Sequence, residues 1–213
     1  MAREASVPVS VMLDHGQSVP QCLKALEMGL SDVMYDGAKL SLDENIANTL
    51  EVIRAARACG AGVEAELGVV GSGSEYDQYG GRGLGFTDPA IAEKFWTATN
   101  CDVLAVAIGN AHGLYKGEPR LDLELLADIR ARIAAPLALH GGTGLSDDQF
   151  RQAIGQGIAK VNVFTDMSVT AGRNLVRRVA EGKFDYFDAM TTIRDTFRER
   201  CLHYLDVFGS PAT

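Results

Sequence analysis

The chain contains only four histidines, and three of them, His15, His112 and His140, fall at or just after the C-terminal ends of three different predicted strands. A lone histidine in such a place is more often a hydrogen-bonded rim residue than a ligand. Three at one rim reverse that balance. Three imidazoles with an open fourth position suit a catalytic zinc ion, because the vacancy admits a substrate oxygen to the Lewis acid. A hydrolase using zinc hydroxide would fit such a set equally well. The fourth histidine, His203, belongs to a C-terminal helix and reads as structural.

Carboxylates gather at the same rim: Asp14 beside His15, Asp36 at the next strand end, and Glu64 and Glu66 on the third strand. An acid there can equally cap a helix or hold a ligand's ring from behind. Neighbours on a strand point to opposite sides, so Asp14 and His15 share a site only where the chain bends, and Gly16 is the residue expected to permit it. Two later segments suit anions. In PLALHGGTGLSDDQF a strand runs into Gly141, Gly142 and Gly144 and then a helix near Ser146, and KVNVFTD places Thr165 and Asp166 at another helix start. Exposed N–H groups at such turns bind phosphate, although glycines also serve simply to make tight turns.

The elements that must position these groups follow a βα rhythm. Strands are predicted at Pro8–Asp14, Asp32–Asp36, Gly62–Leu67, Asp102–Ile108, Pro136–His140 and Lys160–Phe164, with crossover helices between them. One helix, DENIANTLEVIRAARACG, carries Ile46, Leu50, Ile53 and Ala56 on one face. Polar residues at nearly every strand end, and no GxGxxG after the first strand, favour a TIM-type (β/α) barrel over an open doubly wound sheet. One domain over 1–213 is expected, with C-terminal helices from about 167 packing on the barrel or on a second subunit. The Gly-rich stretch GVVGSGSEYDQYGGRGLGFTDP reads as an active-site lid in preference to a plain connector.

Hydrophobic residues make up 46% and charged residues 23% of the 213, ordinary values for a packed enzyme. The formal charge of −8 opposes nucleic acid and anionic membranes, so a phosphorylated substrate must be attracted locally. No apolar run reaches the roughly 20 residues of a membrane span, and the start lacks a signal-peptide core, so a cytoplasmic location is expected. Cys22, Cys59, Cys101 and Cys201 are widely spaced and expected to be reduced, buried thiols.

Six motifs in order, LDHG, VMYDGA, EAELG, AIGNAHGLYKGEP, LHGGTG and NVFTD, resemble those of class II fructose-bisphosphate and tagatose-bisphosphate aldolases from about Pro8 to about Gly172. The resemblance implies zinc-dependent retro-aldol cleavage of a ketose bisphosphate to dihydroxyacetone phosphate and an aldehyde. It implies His15, His112 and His140 as zinc ligands and Asp14 as the catalytic acid/base. Asp36 and Glu66 resemble acids that position the metal or hold it in an alternative site. Gly113, Lys116, Gly141, Thr143 and Thr165 resemble a phosphate and monovalent-cation (Na+ or K+) pocket, and Asn162 the contact to the dihydroxyacetone portion. Glu75 resembles the loop glutamate that handles the proton at C3, although GSGSEYD departs by about one residue from the family pattern. Relatives are commonly dimers or tetramers, and a homodimer or homotetramer is expected.

The family's two opening βα units have no counterpart before Val7, and a full barrel takes about 250 residues, so an incomplete barrel of six βα units with exposed strand edges is expected. Met12 stands where a histidine often precedes the catalytic acid by two residues. Phe164 stands where fructose-type members often carry Asp, which resembles the tagatose-type branch. An inactive zinc-binding remnant or partner subunit is the alternative; Asp14 together with three histidines speaks for the enzyme.

Overall fold

Strand runs of three to six residues alternate between two environments, and that alternation determines which side chains face the site. The computed structural model describes residues 4–75, 85–182 and 184–210. Its strands are β1 (Met12–Gly16), β2 (Asp32–Tyr35), β3 (Gly62–Leu67), β4 (Gly71–Ser72), β5 (Val103–Val106), β6 (Ala111–His112), β7 (Leu137–Leu139) and β8 (Ile158–Val161). The helices are α1 (Val19–Glu27), α2 (Leu42–Cys59), α3 (Pro89–Thr99), α4 (Leu123–Arg132), α5 (Asp147–Gly155), α6 (Thr165–Ala180) and α7 (Tyr186–Val207).

Six strands form one parallel sheet in the order β1-β2-β3-β5-β7-β8, and β4 pairs with β6 in a separate two-stranded ladder. No ladder joins β1 to β8 among the described residues. The residue that follows β8 nevertheless meets β1, Asn162 Nδ2 donating to Asp14 Oδ1 at 3.0 Å, so the sheet curls into an incomplete barrel. On its convex side Val33, Val63, Leu104, Val106, Leu137 and their neighbours pack beneath the helices. The intervening residues Met34, Ala105 and Ala138 face inward with Met12 and Val103. The same period of two sends Glu64, Glu66 and His140 to the concave side.

Helix ends follow local chemistry. Ser41 and Glu44 close a capping box on α2, and Ser146 and Gln149 close one on α5, which begins where the sequence indicated. Only β3 keeps both expected ends, and three boundaries differ most. β1 starts at Met12, because Val7, Val9 and Val11 stay exposed with no face to pack against. β8 ends at Val161, because the chain then turns into the first residues of α6. The β5 run stops at Val106, and His112 lies on β6 rather than in a loop. Cys22 and Cys101 are buried, but Cys59 and Cys201 are exposed, one at the last residue of α2 and one on the outer side of α7.

The face of α2 is also corrected. Ile46 and Leu50 are only half-buried, and the buried face is Asn45, Thr49, Val52, Ile53 and Ala56. The polar pair is there because Asn45 Nδ2 donates to the Glu66 carbonyl at 3.1 Å while its Oδ1 accepts from Thr49 Oγ1 at 3.1 Å. Asn45 thus fastens the helix to the end of β3. Asn45→Leu is expected to cost about 1–3 kcal/mol by stripping that carbonyl of its donor, read as a lower urea midpoint at unchanged slope. An unmoved midpoint would show that the tie carries no stability.

Candidate active site

The period of two cannot by itself bring Asp14 and His15 to one side. His15 does so by adopting φ 49°, and the ladder with β2 slips between Leu13 and Gly16. The bend therefore lies at His15, not at Gly16. Gly16 serves close approach instead: a Cβ there would lie 2.6 Å from the Met34 carbonyl and 2.7 Å from Cys22 Sγ.

The three rim histidines converge. Ring centroids are 4.6 Å apart for His15 and His140, 5.0 Å for His15 and His112, and 5.9 Å for His112 and His140. His15 Nε2 and His140 Nδ1 lie 2.8 Å apart. The far nitrogens of these two rings point at carboxylates, His15 Nδ1 at Asp36 Oδ2 (3.0 Å) and His140 Nε2 at Glu64 Oε1 (2.8 Å). Each far N–H donates outward, leaving the near nitrogens to face each other. His112 Nε2, Glu64 Oε2 and Glu66 Oε2 are buried without a hydrogen-bond partner, Glu64 Oε2 being ion-paired with the Lys160 ammonium at 2.8 Å. An unsatisfied buried nitrogen in a cluster whose ligand atoms all lie within 4.8 Å of one another is what a divalent-metal site requires. The donor set fits such an ion. His15, Asp36 and Glu66 form a second group of the same span on the other side of the His15 ring.

Electrostatics follow from these contacts. The bond to Asp36 raises His15 above its ordinary value despite burial, and the same bond lowers Asp36. Burial, then the His15 and His140 charges, lower His112. Burial pushes Glu64 up, but the His140 bond and the Lys160 ammonium outweigh it and hold it below the usual range. Burial, then the Asp36 charge, push Glu66 from 4.5 up to about 8. Because that value is raised on folding, the stability linked to Glu66 is present below about pH 4.5 and is lost as the pH rises through about 8. The metal-free protein should accordingly melt at lower temperature at pH 9 than at pH 6, and Glu66→Gln should make that slope shallower. An identical slope in the variant would remove Glu66 as its source.

A cavity of about 510 Å³ opens beside the cluster. Asp14 lines it together with the expected Gly113, Gly141, Thr143, Asn162 and Thr165. Gly141 has φ 66°, and a Cβ there would sit 2.1 Å from the Ala111 carbonyl, so only glycine fits. Thr165 opens α6, whose preceding residue Phe164 provides no side-chain cap. The Asp166 N–H donates to Thr143 Oγ1 at 3.2 Å, and this helix start faces the cavity ready for an anion. A smaller cavity of about 280 Å³ on the other side of His15 and His112 holds Asp36, Lys39 and Glu66.

Not every expected residue joins. Lys116 is exposed and outside the cavity lining, and its backbone N–H donates to the Gly73 carbonyl at 2.9 Å. The Glu75 backbone ends a 3-10 turn over Gly73–Glu75, and its side chain lies outside the described residues, as does most of the expected lid, 76–84. His203 Nε2 sits 3.2 Å from Asp147 Oδ1, away from the cluster. Sequence reasoning overlooked three supports. Asn110 Nδ2 donates to the His140 carbonyl at 3.0 Å, Tyr115 OH donates to the Gly141 carbonyl at 3.0 Å, and Lys160 Nζ lies 2.8 Å from Glu64 Oε2. Lys160 was detectable as the inward position two before Asn162.

Known proteins share both the sequence and the shape. The profile of the family described as fructose-bisphosphate aldolase class-II matches residues 1–213. The fructose-bisphosphate aldolase of Geobacillus stearothermophilus is 38% identical over 208 residues, which are 96% of this chain and 71% of that protein. The Escherichia coli protein YdjI is 38% identical over 210 residues, 99% of this chain and 74% of its own length. The crystal structure of the YdjI aldolase superposes with a TM-score of 0.85 at 35% identity, covering 99% of this chain and 73% of that one.

Proposed function

This chain belongs to the class II fructose-bisphosphate aldolase family of carbon–carbon lyases, and from that premise we propose that it cleaves a ketose bisphosphate, of the fructose- or tagatose-1,6-bisphosphate type, to dihydroxyacetone phosphate and an aldehyde such as glyceraldehyde 3-phosphate. The observation that carries the reading is the convergence of His15, His112 and His140 beside Asp14 and Asn162 on one cavity. In this reading His15 Nε2, His140 Nδ1 and His112 Nε2 hold the ion, which we take to be Zn2+. When bound, it supplies the positive charge that the oxygens of the departing dihydroxyacetone portion need as they become negative.

The remaining work falls to the chain's own residues. Asp14 takes the proton of the C4 hydroxyl as the C3–C4 bond breaks and returns it in the reverse direction. Its carboxylate is exposed to the cavity and oriented by Asn162 Nδ2, which also meets the dihydroxyacetone portion. Gly113, Gly141, Thr143 and the α6 start at Thr165 hold a phosphate, with a monovalent cation, Na+ or K+, completing the pocket; Lys116, exposed outside the cavity lining, is left out of it. Asp36 and Glu66 orient His15 and offer the ion an alternative position. The proton at C3 is assigned to Glu75. The organisation proposed with this chemistry is a single domain over 1–213, supported by one core cluster reaching from Cys22 on α1 to Tyr204 and Val207 on α7, assembled as a homodimer or homotetramer in the cytoplasm. Among the described residues no helix is long and apolar enough to cross a membrane.

The test is release of dihydroxyacetone phosphate from each bisphosphate by the purified protein, with zinc content measured before and after EDTA. Release that EDTA abolishes and Zn2+ restores is expected. Bound zinc without release from either sugar would instead favour a non-catalytic metal-binding or partner subunit, and neither zinc nor release would overturn the site itself.

A further inference from the structure

One charged side chain on the concave surface has no part in the chemistry just assigned. Lys160 sits on the end strand β8, and its ammonium reaches across the hollow of the curled sheet to Glu64 on β3, passing over β5 and β7. Nζ lies 2.8 Å from Glu64 Oε2. The other oxygen of the same carboxylate lies 2.8 Å from His140 Nε2. Glu64 is 2% exposed and His140 fully buried, so the carboxylate–imidazole contact is shut off from water, while Lys160, 29% exposed, reaches the carboxylate from the cavity side. We propose that Lys160 is a positioning residue for His140, acting through Glu64 to fix the ring's orientation and its tautomer.

An ammonium offers three donors and no acceptor, so it engages Glu64 only as an acceptor. Held there, Glu64 presents Oε1 to Nε2 as a second acceptor, and Nε2 must carry the hydrogen. The Nδ1 lone pair is then left facing His15 Nε2 at 2.8 Å, inside the three-histidine cluster. Asn162 Nδ2 does not oppose this. It lies 3.5 Å from Nδ1 and 3.2 Å from Nε2, both longer than the 2.8 Å contact of Nε2 to Glu64, and one of its two N–H groups goes to Asp14. The Asn110 bond to the His140 carbonyl fixes the backbone, whereas the relay from Lys160 fixes the ring.

The proposal rests on the reading of the three histidines as a divalent-metal site only for its effect on affinity; the tautomer can be measured with no metal present. Two readouts are taken on Lys160→Met and Lys160→Arg: imidazole 15N shifts of His140 in the metal-free protein, and Zn2+ affinity by competition with a chromophoric chelator. In the parent protein His140 should show one tautomer with hydrogen on Nε2. Lys160→Met should mix the two forms and weaken Zn2+ binding about 10- to 100-fold, and Lys160→Arg, which keeps a charged donor, should restore both. If Lys160→Met does not fold, Lys160→Gln is judged on the same two readouts. An unchanged tautomer and unchanged affinity in a folded variant would reduce Lys160 to a strut across the sheet and overturn the proposal. Should the parent bind no Zn2+ while the tautomer still responds to Lys160, the metal reading fails and the relay stands.

Discussion

Asp14→Asn should lower the rate of retro-aldol cleavage about 100- to 10,000-fold while leaving zinc content unchanged, the range set by loss of a general acid/base. The substitution is nearly isosteric, and the side chain is exposed at the cavity, so packing does not enter. An asparagine can still meet Asn162 through its amide oxygen, which keeps the geometry and removes only the capacity to accept and return a proton. The loss should appear in kcat, with KM little changed, because phosphate contacts are left in place. Turnover within tenfold of the parent, in protein of full zinc content, would take the proton-transfer role away from Asp14.

The second large effect separates two proposed ligands that look equivalent in the sequence. His112→Ala and His140→Ala should each weaken Zn2+ affinity on the order of 100-fold or more, since two imidazoles remain where three were. Their metal-free stabilities should diverge. His140 is fully buried and bonded to Glu64, so its truncation opens a cavity and strips a buried carboxylate of a donor, at a cost of about 2–4 kcal/mol. His112 sits half-buried on a two-residue strand, and its Nε2 has no hydrogen bond to lose, so the cost should stay under about 1 kcal/mol. Urea titrations of the two metal-free variants decide the matter. Equal losses would mean that the histidines are supported alike.

These contrasts show what the sequence carries and what it leaves out. The six strands of the main sheet were legible because each is a short apolar run ending in a polar residue, and Gly62–Leu67 matched to the residue. The histidine cluster was legible because three rim positions on one barrel must converge. The bend at His15 was not, since a non-glycine residue at φ 49° is rare and Gly16 next to it drew the inference. The polar face of α2 was missed for a related reason. Periodicity counts apolar residues, and Asn45 and Thr49 are buried by hydrogen bonds that only the folded chain supplies. Lys116 was carried to the phosphate pocket by its motif alone, whereas in the folded chain it is exposed outside the cavity lining.

The small ladder between Gly71–Ser72 and Ala111–His112 gives the segment after β3 a grip on the backbone of a proposed metal ligand. Whatever shifts the equilibrium of one strand of that pair must shift the other by the same free energy, so occupancy at the metal and order in the 71–75 segment are reciprocal quantities. Amide hydrogens at 71–72 and 111–112 thereby become reporters: loading with Zn2+ should slow their exchange with deuterium together, and a response confined to one strand would mean that the two are uncoupled.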